Sequence, residues 1–191
     1  MACVLNSLEA LDVRPGTALA IVGGGPMGLI HLLAARAMGA GPILVVEPDE
    51  ARRAVARELG AAAAVAPEEA PGVARELTGG EGFRAVAVAV GLAPAVPLAL
   101  DLVRRLGRIN LFAGFPPASN HLLDLNRVHY DEVRLLGTQN APFTLYWKAA
   151  AMVSQLPALE RIVTHRYALA DAAAAYAARL GREGLKSAVV M

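Results

Sequence analysis

The sequence predicts a doubly wound α/β domain, a parallel sheet with helices on both faces. Three observations carry this. Strand-length apolar runs alternate with helix-length segments from Ala18 to Gly137. Gly23, Gly25 and Gly28 follow the first apolar run directly and open a helical pattern. Hydrophobic residues make up 55% of the 191-residue chain and mean hydropathy is +0.44. Yet Arg36, Glu47, Asp49 and Arg84 interrupt every apolar stretch before it reaches the roughly 18 residues a membrane helix needs. Such apolarity is expected of strands buried on both faces.

The elements follow in order. Val4, Leu5, Leu8 and Leu11 share a helical face, and Arg14-Pro15-Gly16 ends that helix. Residues 18–22 form the first strand and 27–38 the helix after the glycines. Residues 43–46 form the second strand, Asp49 caps a helix over 50–59, and Gly60 stops it. A short strand at 62–65 leads to a helix at 68–77, ended by Thr78-Gly79-Gly80. The fourth strand is 86–90. A helix spans 93–106, with Pro94 and Pro97 suited to its first turn. Strands at 108–112 and 133–137 complete six, in two β-α-β-α-β halves with right-handed crossovers, the Rossmann arrangement. Beyond this the rhythm changes. A helix at 145–153, a break at Leu156-Pro157, an extended 161–167, a helix 172–180 capped by Asp171, and a strand 187–190 have no crossover partner of their own. They are expected to pack on something outside the sheet. The division predicted is 1–155 and 156–191.

The glycines carry the chemistry. Gly23 allows the tight turn out of the strand, Gly25 admits a pyrophosphate close to the backbone, and Gly28 lets the helix approach the sheet. Met27 offers its backbone N–H to the same phosphates. Glu47 closes the second apolar run about 20 residues on, the place of an acid that bonds the adenosine ribose. It repels a 2′-phosphate, so NAD is expected over NADP, although the nearby Arg52 could accommodate that phosphate. Ala113, Gly114 and Phe115 follow the fifth strand, and Thr138, Gln139 and Asn140 the sixth. Both segments sit at carboxyl ends of strands, where open α/β sheets bind ligands.

Other chemistries find little support. Eighteen basic and seventeen acidic residues give a net charge of +1, with no basic stripe for nucleic acid. The single cysteine, Cys3, excludes an internal disulfide and fits a reducing cytoplasm. It lies on the first helix without a second ligand nearby and reads as a small buried hydrophobe. No secretory leader is visible. His31 reads as packing or surface, His165 as bonded to backbone, and His121 and His129 lack metal-ligand spacing. No catalytic residue or metal ligand is assigned.

Ala2-Cys3-Val4-Leu5-Asn6, the Gly23–Gly28 fingerprint, Val46-Glu47, Val163-Thr164-His165-Arg166-Tyr167 and Gly184-Leu185-Lys186 together resemble the cofactor-binding half of the zinc-containing medium-chain dehydrogenases, in the sorbitol and threonine dehydrogenase branch. The likeness runs from end to end. It implies hydride transfer between an alcohol or polyol and NAD, and a homodimer or tetramer. It implies that Ala113–Phe115 and Thr138–Asn140 line the nicotinamide pocket and that Arg52 lies beside the adenosine. It also implies a GroES-like catalytic domain upstream that holds zinc and most of the substrate pocket, with the segment after 156 returning to it. That domain is absent from this sequence, so the chain alone is expected to bind NAD weakly and to catalyse nothing. Asn140-Ala141 departs from the Arg-Tyr pair of sorbitol dehydrogenases, which leaves a polyol substrate without its usual contacts. The alternative is a nucleotide-sensing module that partners a separate catalytic chain.

Overall fold

The central strands of the sheet alternate their apolar side chains between two separate cores. The computed structural model describes residues 1–117, 119–120, 123–181 and 183–191. It contains β1 (Leu19–Val22), β2 (Ile43–Val46), β3 (Ala63–Val65), β4 (Phe83–Val88), β5 (Val103–Leu111) and β6 (Arg134–Gly137). All neighbours pair in parallel, in the order β3-β2-β1-β4-β5-β6. Leu19, Ile21, Ile43, Val45, Ala85 and Ala87 face a core shared with α1 (Ala2–Ala10), α2 (Pro26–Ala37) and α3 (Glu50–Glu58). Ala20, Val22, Leu44, Val46, Val86 and Val88 face the other, filled from α4 (Ala70–Thr78) and α5 (Ala95–Leu102). The period of two in the strand side chains thus serves two cores at once.

The six expected strands and the reversal of strand order beside β1 are present. Boundaries moved where tertiary pairing overrode local pattern. The helix expected over 93–106 ends at Leu102, because Val103 pairs with Phe83 and opens β5 five residues early. The chain then bulges through Leu106, which has a φ of 60° and is 65% exposed, before register resumes at Arg108. β4 begins at Phe83 and ends at Val88, so the apolar run to Val90 outlasts the strand. Asp49 does cap α3, accepting from the Arg52 N–H at 3.0 Å. A short α6 (Leu125–Tyr130), capped by Asp124, was not foreseen, since six residues are too few to show a helical period.

The C-terminal stretch differs most from expectation. After α7 (Thr144–Ser154) a 3-10 helix, Pro157–Ile162, leads into β7 (Val163–Ala168), α8 (Ala172–Leu180) and β8 (Lys186–Val190). β7 and β8 pair in parallel across α8, so this stretch has its own crossover. Asp171 precedes α8 without capping it through its side chain. Ile162 is buried in the first core, and Leu156, Leu159 and Leu185 pack against that core.

His31 is fully buried on α2, edge-on to the Phe112 ring at 4.6 Å between centroids. Its Nδ1–H donates to the Met27 carbonyl at 2.8 Å, and Nε2 has no partner among the described residues. Burial pushes its pKa down to about 4, against the smaller opposing effect of the Met27 bond. The unfolded chain takes up this proton near pH 6.5, the folded chain only near 4. The stability tied to neutral His31 is therefore complete above pH 6.5 and is lost as pH falls toward 4, by about 3 kcal/mol in all. Urea unfolding at pH 7 and pH 4.5 should show a smaller loss for His31→Leu than for the unaltered chain. Equal losses would show that His31 does not set the acid limb.

Candidate functional site

The turn from β1 into α2 is built on two glycines that no other residue could replace without movement. Gly23 leaves the strand at φ +109°, and its N–H donates to the Val46 carbonyl at 2.8 Å. A Cβ on Gly28 would stand 1.8 Å from the Gly23 carbonyl oxygen. α2 begins directly against that carbonyl. Gly25 is its N-cap, in extended conformation, and Pro26 occupies the first helical position. A Cβ on Gly25 would meet nothing within 4 Å, so no protein neighbour demands glycine there. The space beside it is open, and the first-turn N–H groups face outward with the positive end of the helix dipole.

Glu47 closes β2 opposite this turn and is only 6% exposed. Its Oε2 accepts from the Gly24 N–H at 2.7 Å and its Oε1 from the Asp49 N–H at 3.2 Å. Arg53 reaches back from α3 and donates to the Glu47 and Pro48 carbonyls at 2.8 and 2.7 Å. The carboxylate is thus oriented by backbone before any ligand arrives. Its outer face remains open to a cleft.

That cleft encloses about 520 Å³, a volume typical of small-molecule sites. One wall is the carboxyl edge of the sheet: Gly23, Met27, Glu47, Arg52, Val90 and Leu92, with Leu98 from α5. The other is the C-terminal unit: Arg179, Glu183, Gly184, Leu185, Lys186 and Ser187. Arg52, Arg179 and Lys186 bring three cations to its rim, against the carboxylates of Glu47 and Glu183. The arrangement suits a ligand that carries both negative charge and hydrogen-bond donors.

Of the residues expected from sequence, Gly23, Met27, Glu47 and Arg52 line the cleft, Gly25 borders it, and Gly28 lies buried beneath. Ala113–Phe115 and Thr138–Asn140 are not among its lining residues. They continue the same edge beyond it, following β5 and β6. The loop after β5 lies close against the one after β4, for a Cβ on Gly91 would meet the Gly114 carbonyl at 2.1 Å. Cys3 is half-buried rather than buried. His165 bonds the Thr164 hydroxyl at 3.0 Å rather than backbone. His121 lies outside the described residues, and His129 is exposed. Among the described residues, no three His, Cys, Asp or Glu side chains gather where a metal ion could be held. No helix among the described residues is long and apolar enough to cross a membrane.

Sequence reasoning missed Arg53, Arg179 and Lys186. Arg53 gave no motif, only its place at the start of a helix. Arg179 and Lys186 stood in a segment read as facing away from the sheet.

The profile of the zinc-binding dehydrogenase family matches residues 26–154. An L-threonine 3-dehydrogenase of Burkholderia vietnamiensis is 31% identical over 174 residues, which is 90% of this chain and 50% of that protein. The solved alcohol dehydrogenase of Thermus sp. ATN1 superposes with a TM-score of 0.89 at 29% identity, covering 100% of this chain and 55% of that one. A Sinorhizobium meliloti protein described as a zinc-binding dehydrogenase, solved bound to NADP, gives a TM-score of 0.89 at 24% identity over 100% and 57%. The chain spans about half the length of the relatives it matches.

The glycine geometry makes a paired prediction. Gly28→Ala should lower the unfolding free energy by roughly 2 kcal/mol or more, since helix and strand must separate to admit the methyl group. Gly25→Ala should change it by less than about 0.5 kcal/mol. Urea denaturation of the two variants checks this, and similar midpoints would contradict the close approach seen at Gly28.

Proposed function

We propose a function on one premise: the chain belongs to the zinc-binding dehydrogenase family. It is the NAD(P)-binding part of an alcohol dehydrogenase-like oxidoreductase, and NAD is the cofactor it prefers. The observation that carries this reading is Glu47, fixed by the Gly24 N–H and open to a cleft whose far side presents Arg179 and Lys186.

The cleft residues fit the adenosine and diphosphate portion of a dinucleotide. The α2 N-terminus and the Gly23–Gly25 backbone would hold the diphosphate. Lys186 and Arg179 would add countercharge from the opposite wall. Glu47 would accept from the ribose hydroxyls, and a 2′-phosphate beside it would meet like charge in a partly enclosed site. The Sinorhizobium protein of the same fold was solved with NADP; here Arg52 on the rim would be outweighed by a carboxylate already in place. The turns Ala113–Phe115 and Thr138–Asn140 would receive the nicotinamide end. Hydride exchange with an alcohol carbon is the chemistry that nicotinamide supplies when bound.

The described residues do not fit a zinc ion, and no metal step is assigned to this chain. The zinc-dependent part of the reaction belongs in our reading to a catalytic domain packed on the 156–191 region. Leu169, Tyr176 and Leu180 are 62%, 67% and 66% exposed there, an apolar face suited to such cover. β6, an edge strand with Leu135 partly exposed, supports pairing of two copies along the sheet.

Calorimetric titration of the chain should show NADH binding more tightly than NADPH by about tenfold, or 1.4 kcal/mol. Glu47→Gln should narrow that ratio, and Lys186→Ala should weaken both ligands alike. With zinc added, the chain alone should not oxidise alcohols. Absence of binding to either nucleotide overturns the reading, and turnover would show that the catalytic residues are present after all.

A further inference from the structure

The turn after β6 is held from behind by side chains of α1 and β5, none of which lines the cleft. Thr138 follows the last residue of β6, where its backbone N–H reaches the Leu111 carbonyl only at 3.5 Å. Asn140 sits at φ +55°, a left-handed conformation that asparagine adopts more readily than other non-glycine residues. Two bonds hold this turn, one at Asn140 and one at Thr138. Asn6 on α1 donates from Nδ2 to the Asn140 carbonyl at 2.9 Å. Asn110, fully buried on β5, donates from Nδ2 to the Thr138 hydroxyl at 2.9 Å and to the Ser7 hydroxyl of α1 at 2.7 Å.

The amide of Asn110 is costly where it lies. Its Oδ1 is buried without a partner among the described residues, and an unsatisfied buried acceptor destabilises a fold. An apolar residue would serve the β5–β6 pairing better. What the amide contributes is a fixed link between α1 and the turn.

We propose that Asn6, Ser7 and Asn110 are positioning residues that set the Thr138–Asn140 turn for the nicotinamide end of the cofactor. This deepens the function proposed above and rests on it. α1 thereby acts as a brace behind the sheet. It orients the end of the site where hydride would be exchanged and leaves the adenosine end, set by Glu47, untouched.

The test compares NADH with ADP-ribose, which shares its adenosine and diphosphate but lacks nicotinamide. Wild-type chain, Asn6→Ala and Ser7→Ala are titrated with both. Neither variant introduces bulk or charge, and unfolding midpoints check that both fold. The proposal expects the NADH dissociation constant to rise about fivefold in each variant while that of ADP-ribose stays within about twofold. Equal weakening of both ligands, or no change in NADH affinity, overturns it. Wild-type chain that binds neither ligand sinks the functional reading itself, a failure seen before any variant is measured.

Discussion

A helix can rest on the end of a strand only if nothing stands between them, and here a single missing methyl group provides that condition. With Gly28 bare, the first turn of α2 meets the Gly23 carbonyl. Everything at the carboxyl edge of the sheet follows from this contact. It aims the helix dipole at the space beside Gly25, and it brings the Gly24 N–H within 2.7 Å of the Glu47 carboxylate. It also seats His31 one turn further on, in a pocket closed by Phe112. Displacing the helix by even an ångström would disturb all three, because protein interiors are too densely packed to absorb the shift locally.

The site is organised before a ligand is bound. Glu47 takes one N–H from the glycine turn and one from its own chain two residues on, while Arg53 fastens the carbonyls behind it. A carboxylate so held gives up little freedom on binding a sugar hydroxyl, which is the physical content of preorganisation. At the far end of the edge the same logic works through α1, whose side chains grip a turn that β6 alone leaves loose. Glu47 and the turn after β6 are thus set by different parts of the molecule.

Much of this was legible in the residues. Apolar runs of strand length, glycines at fixed offsets and an acid closing the second run are local patterns, and each survives in the structure. The failures share a cause. Val103 reads as helix until its pairing with Phe83 is known, and Val90 reads as strand although the ladder stops at Val88. The extended stretches at 161–167 and 187–190 were legible, but their parallel pairing across α8 was not, since neither carries a signal that names its partner. Arg179 and Lys186 could not be placed at the cleft from sequence, since their approach depends on how that unit folds back. Pattern reports what a segment buries; it does not report which distant segment it meets.

The cleft has unequal walls. One is the middle of a six-stranded sheet with a core on either side. The other is a two-stranded ribbon and one helix whose buried residues, among those described, are Ala175 and Ala178. Regions with few buried contacts open at lower free energy than the core they lean on. A molecule lodged here is gripped between a stiff jaw and a compliant one, and the hold it experiences is governed by how readily the compliant jaw yields.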